Sequence, residues 1–276
     1  MNLPTVPARH GTLWVRQAFQ TFARQPLAFG GMFAAFMFTV FVTTLLPLIG
    51  SVLLLVALPL VSLGFMLATR DALEGRVPLP NAYWRPLRGD PRRRMALLQL
   101  CLLYTVATFA IMWLSDLFDG GALDALMLAL SGSEKVTPEI VSQRVADPAL
   151  RNGLLLRFGL AGLLSVPFWH APALVHWHGH SAAKSLFASS IAVWRNRAAF
   201  TLYGLAWVGV VLGFTIVASL LFGLLGQPQW IALAAMPASL LFSTVFYVSL
   251  YFTFVDCFAA APPTVGDDAL NPKETP

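Results

Sequence analysis

Residues 165–200 read SVPFWHAPALVHWHGHSAAKSLFASSIAVWRNRAAF, and this stretch shows how the whole chain is built. It begins inside an apolar run that contains Pro167 and Pro172, and it continues into a basic amphipathic segment that ends in Trp194, Arg195 and Arg197. The apolar run, residues 154–177, is long enough to cross the hydrocarbon core of a membrane, which is about 30 Å thick. The pattern predicts a membrane-spanning helix followed by an amphipathic helix at the membrane surface.

The composition extends this interpretation to the entire chain. Of its 276 residues, 57% are hydrophobic and 11% are charged, and the mean hydropathy is +0.70. A soluble domain is about a quarter charged and could not bury so much apolar surface. The sequence predicts an all-α polytopic membrane protein with about six transmembrane helices and two interfacial amphipathic helices. The predicted spans cover approximately residues 27–49, 51–69, 95–113, 154–177, 198–225 and 230–255.

The spans predict one transmembrane helical domain, residues 1–258, followed by a disordered cytoplasmic tail, residues 259–276, which is polar and contains several prolines. Arginines concentrate in residues 70–94, between the second and third spans. Because Lys and Arg favour cytoplasmic loops, this segment is predicted to be cytoplasmic, and an even number of spans then places both termini in the cytoplasm. The formal charge of +5 lies in short loops, which does not indicate a nucleic-acid partner.

Two segments have the pattern of helices that lie in the headgroup layer of a membrane. In residues 12–24 and 181–197, aromatic and other apolar residues fall on one helical face and basic residues on another. Basic side chains attract anionic lipid headgroups, and tryptophan favours the interface between membrane and water. The candidate lipid-headgroup residues are Trp14, Arg16, Arg24, Lys184, Trp194, Arg195 and Arg197.

The opening stretch also contains most of the histidines of the chain. His176 and His180 are four residues apart, a spacing that on a continuous helix can hold Zn or Cu. Two histidines are too few for a closed metal site, and histidines beside tryptophan also anchor helices at the membrane surface. Metal binding and anchoring are therefore alternatives, and no other motif predicts a cofactor.

His170 lies within the apolar run itself, between Pro167 and Pro172. Ionisable residues inside a membrane are rare and usually face the protein interior. Each proline removes a backbone donor, which leaves nearby carbonyl groups for a side chain or a water molecule. These three residues form the candidate polar site in the membrane. The imidazole is expected either to satisfy a carbonyl or to take part in the passage of protons or solutes.

Two pairs of residues predict contacts of the spans. Asp116 and Arg157 fall near the same predicted end of the third and fourth spans, so they can pair, although Arg157 can also extend to the headgroups. Gly209 and Gly213 form a G-x-x-x-G pattern, which lets another backbone approach closely. We expect that approach inside the helical bundle rather than between protomers.

A family resemblance is carried by the pattern F-W-x-A-P-A-L-V at residues 168–175, HG at 178–179, KSLF at 184–187 and WRN at 194–196, together with LATRDALEG at 67–75. With these segments the chain resembles an uncharacterised family of proteobacterial multi-spanning inner-membrane proteins. The resemblance implies a six-span protein of the bacterial inner membrane and no catalytic residue. His170, His176 and His180 depart from the family pattern, which argues against a shared metal site.

These features favour a non-enzymatic structural or accessory protein of the inner membrane, with basic cytoplasmic surfaces that bind anionic lipid headgroups. The sequence has no G-x-S-x-G motif, Walker lysine loop or H-E-x-x-H motif. Ser181 and Lys184 match the S-x-x-K of penicillin-binding proteins, but no S-D-N or K-T-G motif accompanies them, and we interpret Ser181 as a helix cap. A small-solute or metabolite transporter is an alternative, since Pro59 and Pro237 also fall within spans, as in transporters with broken helices. A metal-binding membrane protein that uses the histidine cluster is a second alternative.

Overall fold

The computed structural model describes residues 4–46, 49–131, 147–227 and 229–258, and within these residues the regular secondary structure is helical. The tail predicted to be disordered, residues 259–276, lies outside the described residues. We number the described α-helices in chain order. They are α1 His10–Arg24, α2 Pro26–Thr44, α3 Ile49–Leu73, α4 Pro91–Asp119, α5 Ala122–Ser131, α6 Pro148–Phe168, α7 Ala171–His178, α8 Ala182–Arg195, α9 Arg197–Leu224 and α10 Trp230–Phe258.

Within the described residues, six helical segments are long and apolar enough to cross a membrane, which confirms the predicted fold class. They are α2, α3, α4, the pair α6 and α7, α9 and α10. Several of these helices extend a few residues beyond the predicted spans because their caps lie in the polar flanks. At the start of α4, for example, the Asp90 side chain accepts a hydrogen bond from the Arg92 N–H, and Pro91 occupies the first turn.

Only one of the spans that contain a proline is divided within the described residues. The predicted span 154–177 is formed by two helices, since α6 ends at Phe168 and α7 begins at Ala171. In contrast, α3 continues through Pro59 and α10 continues through Pro237. A membrane helix tolerates a proline where other groups satisfy the carbonyl that it leaves without a donor.

The contacts between residues divide the chain into two compact units. The first unit comprises the described residues of Met1–Phe38, Ser62–Arg85 and Ile191–Pro276, and the second comprises those of Thr39–Val61 and Pro86–Ser190. Helices α2, α3 and α8 contribute residues to both units. Three of the four boundaries between the units fall inside these helices rather than in linkers. The expectation of one transmembrane domain over residues 1–258 stays a prediction.

The core of the first unit is rich in aromatic side chains. Phe65 stacks on Tyr247 with the ring centroids 5.0 Å apart, and it meets the edge of Tyr83 at 5.8 Å. Tyr83 belongs to a short 3-10 turn after α3, and its hydroxyl donates a hydrogen bond to the Met32 carbonyl at 2.9 Å. Burial raises the pKa of the Tyr83 phenol. The loop after α3 is therefore fastened to the core of this unit.

Helix α1 packs against α9 and α10 in the first unit. Gly11 lies directly on the α9 backbone, where an added Cβ would be 2.3 Å from the Ala199 carbonyl oxygen and 2.5 Å from the Tyr203 nitrogen. Trp14 is fully buried, with its ring centroid 5.2 Å from that of Phe200 and 5.9 Å from that of Tyr203. The apolar face of α1 is therefore part of the protein core.

In the second unit, α4 packs against α6 and α7. Tyr104 on α4 contacts Phe168 at the end of α6 in an edge-to-face geometry, with the centroids 5.2 Å apart. The other end of α4 meets the start of α6, because Gly153 lies against the side chain of Asp119. The two helices are therefore antiparallel, as expected for consecutive spans.

Beyond the face that α1 covers, much of the apolar surface of α9 is exposed, and only 6% of its most apolar stretch is buried within the protein. Leu205, Leu212 and Leu220 are each more than half exposed, and in a membrane acyl chains cover such side chains. Gly209 and Gly213 also lie on α9, and no described atom approaches within 4 Å of the position of a Cβ on either residue. The predicted close approach of another backbone of this chain is therefore wrong for the described residues.

Candidate functional site

The polar site predicted within the membrane lies at the division of the fourth span. Trp169 and His170 link α6 to α7, and His170 is fully buried. Pro167, near the end of α6, has no backbone N–H, and Trp169 N donates a long bond of 3.4 Å to the Val166 carbonyl. Pro172 lies in the first turn of α7, where a missing N–H is tolerated. The two prolines therefore end one helix and start the next around a buried histidine.

The side chain of Ser189, on α8, bridges this division. Its hydroxyl donates a hydrogen bond to the Val166 carbonyl at 3.0 Å and accepts one from the His170 N–H at 3.1 Å. In a continuous helix these two backbone groups would bond each other, because the N–H of a residue bonds the carbonyl four positions earlier. A serine hydroxyl therefore replaces one helical hydrogen bond. It belongs to a set of small residues that α8 buries, namely Ala182, Ser185, Ala188, Ser189 and Ala192.

The donor at this division is a side chain that the sequence did not single out, since the Val166 carbonyl receives the Ser189 hydroxyl. The expectation that the imidazole or a water molecule satisfies a carbonyl left by one of the prolines stays a prediction. The His170 carbonyl accepts from the Leu174 N–H at 3.0 Å, so the backbone of His170 is bonded through both its N–H and its carbonyl. No local pattern marks Ser189, because a serine on an amphipathic helix is usually interpreted as a polar-face residue.

Replacing Ser189 with alanine should lower the free energy of unfolding by about 1 to 3 kcal/mol, because it leaves the buried His170 N–H without its acceptor and removes a donor from the Val166 carbonyl. Ser190→Ala is a matched control: the Ser190 hydroxyl donates to the Leu186 carbonyl within the same helix, so we expect a change within about 0.5 kcal/mol. Unfolding of the purified full chain in mild detergent, followed by circular dichroism, measures both variants. Equal stability of the two variants would contradict the bridging role of Ser189.

The histidine segment does not form the predicted metal-binding face. Helix α7 ends at His178, and Gly179 follows it in the left-handed conformation with φ of +63°. His180 lies beyond the helix, so the predicted alignment of His176 with His180 is wrong. The physical reason is that Gly179 occupies the position that ends helices in this conformation. The described residues contain no group of three or more His, Cys, Asp or Glu that could hold a metal ion.

The carboxyl end of α7 is held by an arginine from α4. Arg93 Nη1 donates a hydrogen bond to the His176 carbonyl at 2.9 Å, and Arg93 Nε lies 3.6 Å from the position of a Cβ on Gly179. A positive charge at the carboxyl end of a helix complements the helix dipole. The contact places the arginine-rich start of α4 and the histidine segment at the same end of the second unit.

Trp14 is not a lipid-headgroup residue, in contrast to the prediction. Its side chain is 0% exposed, and Nε1 donates a hydrogen bond to Asp256 Oδ2 at 2.7 Å. His10 Nδ1 lies 2.7 Å from the same oxygen. Helix α1 is amphipathic as predicted, but protein rather than lipid covers its apolar face. Arg16 and Arg24, also predicted to contact headgroups, are exposed.

Helix α8 has the opposite arrangement, with its large aromatic side chains exposed. Trp194 is 68% exposed, and the Arg197 guanidinium lies over its ring, 5.5 Å from the centroid. Lys184, Arg195 and Arg197 are exposed as well. Phe187, which the sequence did not single out, is also 68% exposed and lies seven residues before Trp194, on the same face of the helix. These positions suit side chains that contact lipid.

Asp71 is a buried carboxylate that the sequence did not single out. It is 7% exposed and accepts hydrogen bonds from Arg76 and from Arg85 Nη1, the latter at 2.9 Å. Arg76 also pairs with Glu74, and Arg70 Nε donates to Glu74 at 2.8 Å. The hydrogen bond from Arg70, supported by that from Arg76, lowers the pKa of Glu74. Three arginines of the predicted basic loop are therefore paired with acids.

An ion pair joins α4 and α6 in the second unit. Arg157 Nη2 donates a hydrogen bond to Asp116 Oδ1, which confirms the predicted pairing of these residues. The pair lies towards the end of α4 and the start of α6, whereas Arg93 lies near the start of α4. The two contacts therefore mark opposite ends of this unit.

Asn196, between α8 and α9, holds the amino-terminal segment in the first unit. Its Oδ1 accepts a hydrogen bond from the Val6 N–H at 2.7 Å, and its Nδ2 donates to the Ala192 carbonyl at 3.0 Å. His10 lies against Asp256 near the end of α10. The amino-terminal segment and the carboxyl end of α10 therefore lie at the same end of the first unit.

A comparison with known proteins places the chain in a family. Over 264 residues it is 34% identical to a probable inner membrane protein of Burkholderia thailandensis, and the match covers 95% of this chain and 96% of that protein. The chain belongs to the family of that protein. No family model matches the chain, and no solved structure matches it.

The family membership confirms the resemblance to proteobacterial inner-membrane proteins. Together with the six apolar helices, it identifies the chain as a multi-spanning inner-membrane protein. The match covers nearly the whole of both chains, so both units fall within it.

Proposed function

We propose that this inner-membrane protein is a non-enzymatic structural or accessory component whose basic surface binds the headgroups of anionic lipids. The observation that carries the proposal is the exposed indole of Trp194 with the Arg197 guanidinium over its ring. Tryptophan is enriched where the membrane meets water, and arginine attracts lipid phosphates. An exposed pair of these side chains suits the headgroup layer.

Other exposed positive charges of the chain support the same proposal. Arg195 and Lys184 on α8 and Arg16 and Arg24 on α1 are exposed. None of the four forms an ion pair with a described residue. Cations in such positions attract anionic headgroups rather than stabilise the fold.

We propose that both termini lie in the cytoplasm. The amino-terminal segment and the carboxyl end of α10 share one end of the first unit, through the contacts of Asn196 and Asp256. The even number of candidate spans among the described residues is consistent with this arrangement. Arginine is concentrated in residues 70–94, which favours a cytoplasmic location of that segment by the positive-inside rule, and because α2 and α3 precede it, the amino terminus belongs on the same side.

The non-enzymatic part of the proposal is supported by the structural use of polar side chains that are buried or partly buried. Ser189 bridges two backbone groups, Asp71 is enclosed by two guanidinium groups, and Asp256 is bonded by Trp14 and lies within hydrogen-bonding distance of His10. Each of these side chains has a role in holding helices or loops together.

Lipid selectivity at Trp194 tests the proposal. The full chain is reconstituted in phosphatidylcholine vesicles that contain a small fraction of either brominated phosphatidylglycerol or brominated phosphatidylcholine, at equal amounts. Bromine quenches tryptophan fluorescence, and the difference in quenching between wild type and Trp194→Phe reports on the Trp194 indole. We expect stronger quenching by the anionic lipid. Combined Arg195→Gln and Arg197→Gln substitutions should lower the preference by about fivefold for each arginine.

Arg151→Gln provides the control for this experiment. Arg151 is an exposed arginine in the first turn of α6, and its replacement should leave the lipid preference at Trp194 unchanged. Equal quenching of wild-type Trp194 by the two brominated lipids would contradict the lipid-binding proposal.

The transport of a small solute or metabolite is a second proposal, favoured by the division of the fourth span at the buried His170. The continuous helices through Pro59 and Pro237 support it less. Uptake into proteoliposomes that is abolished by substitution of His170 would be the expected result for a transporter.

A further inference from the structure

Basic side chains surround the turn between α7 and α8 in the second unit. The imidazole rings of His178 and His180 flank Gly179, with their centroids 5.7 Å apart. Arg93 reaches the turn from α4, and its Nε lies 3.6 Å from the position of a Cβ on Gly179. Lys184, in the first turn of α8, is exposed and close enough for its charge to act on His180. Side chains from two parts of the chain therefore converge on one turn.

The charge of this cluster favours an anion. Asp90 faces Arg93 at 4.0 Å, and it is the carboxylate that the described residues place within ion-pair distance of the cluster. Arg93 and Lys184 together outweigh that one negative charge, even when both imidazoles are neutral. A metal cation would be repelled by this excess of positive charge, whereas an anion would be attracted.

The donors at the turn suit a phosphate group. His180 Nδ1 is shielded from solvent and has no hydrogen-bond partner among the described residues. A phosphate offers several oxygens that accept charge-assisted hydrogen bonds from guanidinium, ammonium and imidazolium groups. Helix α8 also begins at Ala182, immediately after the turn, so the positive end of its dipole adds to the attraction.

The turn is also placed where lipid phosphates are found. Helix α7 completes the candidate span Pro148–His178, and α8 follows it with the exposed aromatic side chain of Phe187. A turn between a span and an interfacial helix lies at the depth of the headgroups.

We infer that Arg93, His178, His180 and Lys184 form a binding site for a phosphate group, and that acidification strengthens the binding. The inference rests on the proposed lipid binding and assigns it to a particular turn. The phosphate belongs either to the headgroup of an anionic phospholipid or to free inorganic phosphate, and the two sources present the same oxygens to the site.

The direction of the pH dependence follows from the groups around His180. These are His178 and Lys184 from the turn and α8, and Arg93 with its partner Asp90 from α4. Burial, followed by the positive charges of Lys184 and His178, lowers the pKa of His180. A bound phosphate opposes those charges and raises that pKa, so binding takes up a proton. Affinity therefore increases as the pH falls through the pKa of His180 in the complex.

Equilibrium binding to the full chain in neutral detergent tests the inference. Radiolabelled phosphatidylglycerol and radiolabelled inorganic phosphate are used in separate arms, at about pH 6 and about pH 7.5, with labelled phosphatidylcholine as the neutral reference. Wild type should bind phosphatidylglycerol, whose phosphate carries the same charge at both pH values, several-fold more tightly at the lower pH. Lys184→Gln should weaken binding about tenfold, the loss of one charge-assisted hydrogen bond.

Three further variants separate charge from folding. His180→Gln should remove most of the pH dependence, and His180→Lys, which keeps a positive charge at both pH values, should bind tightly at both. Arg151→Gln, near the opposite end of the second unit, should behave as wild type. Circular dichroism confirms that each variant is folded before its binding is measured.

The outcomes separate this inference from the proposed function. Binding of phosphatidylglycerol alone that is weakened by Lys184→Gln identifies a lipid headgroup, and binding of both probes identifies the phosphate itself; either result supports the site. Phosphate binding weakened by Lys184→Gln, with no preference for phosphatidylglycerol over phosphatidylcholine, supports the site and contradicts the lipid-binding proposal. If Lys184→Gln and His180→Gln bind both probes as wild type does, the inference is overturned. If the combined Arg195→Gln and Arg197→Gln substitutions then weaken the binding of phosphatidylglycerol, the lipid-binding proposal still holds.

Discussion

Replacing Gly11 with alanine should separate α1 from α9 and lower the free energy of unfolding by about 3 kcal/mol, the upper part of the range for an overfilled core. The added Cβ would lie 2.3 Å from the Ala199 carbonyl oxygen and 2.5 Å from the Tyr203 nitrogen. Both are backbone atoms, so no side-chain rotation can relieve the contact. Unfolding of the full chain in mild detergent, followed by circular dichroism, measures the loss.

The matched control for this substitution is Gly204→Ala on α9. No described atom lies within 4 Å of the position of a Cβ there, and alanine favours a helix over glycine by up to about 1 kcal/mol. We therefore expect unchanged or slightly higher stability for Gly204→Ala. If Gly11→Ala unfolded at the same midpoint as wild type, α1 would not pack as closely on the α9 backbone as the structure shows.

Replacing Trp14 with alanine should cost about 3 to 5 kcal/mol, the range for removing a large aromatic side chain from a core. Trp14 is fully buried against Phe200 and Tyr203, and it also donates a hydrogen bond to Asp256. The substitution leaves a cavity between α1 and α9 and removes one donor from the carboxylate. The same unfolding measurement on the full chain determines the loss.

Trp194→Ala is the comparison that distinguishes the two tryptophans. Because Trp194 is 68% exposed, its replacement should change the unfolding free energy by no more than about 0.5 kcal/mol. Trp14→Phe should fall between the two, since it keeps most of the buried ring and loses the hydrogen bond to Asp256, worth about 1 kcal/mol. Equal losses for Trp14→Ala and Trp194→Ala would contradict the burial of α1.

These two tryptophans show that a local sequence pattern does not predict whether protein or lipid covers the apolar face of an amphipathic helix. Trp14 and Trp194 each lie on a short amphipathic helix that precedes a long span, and the local pattern predicts the same interfacial position for both. In the structure α1 is covered by α9 and α10, whereas α8 buries a row of small residues and exposes its rings. The difference depends on which helices are neighbours, and amphipathicity measures only the separation of apolar from polar faces.

The sequence predicts where the candidate polar site lies, but it does not predict which side chain forms hydrogen bonds with the backbone there. His170 is buried between two prolines, as an ionisable residue within an apolar run suggests. The bridging side chain, Ser189, comes from another helix, and nothing in its own surroundings indicates that partner. At the end of α7 a local signal was present, because Gly179 favours the left-handed conformation that removes His180 from the helix.

The sequence by itself determined that the chain is helical, that it crosses the membrane in about six spans and approximately where each span lies. Span length and hydrophobicity are local properties, since the bilayer requires about 20 consecutive apolar residues whatever the neighbouring helices are. Only the tertiary structure decided that protein covers the apolar face of α1, that Ser189 bridges the divided span and that Asp71 pairs with arginines of its loop. Each of these outcomes depends on which groups come to lie together in space. A polar side chain can find its hydrogen-bond partner in water or in protein, and an aromatic ring can be covered by lipid or by protein, so the local sequence does not specify which occurs.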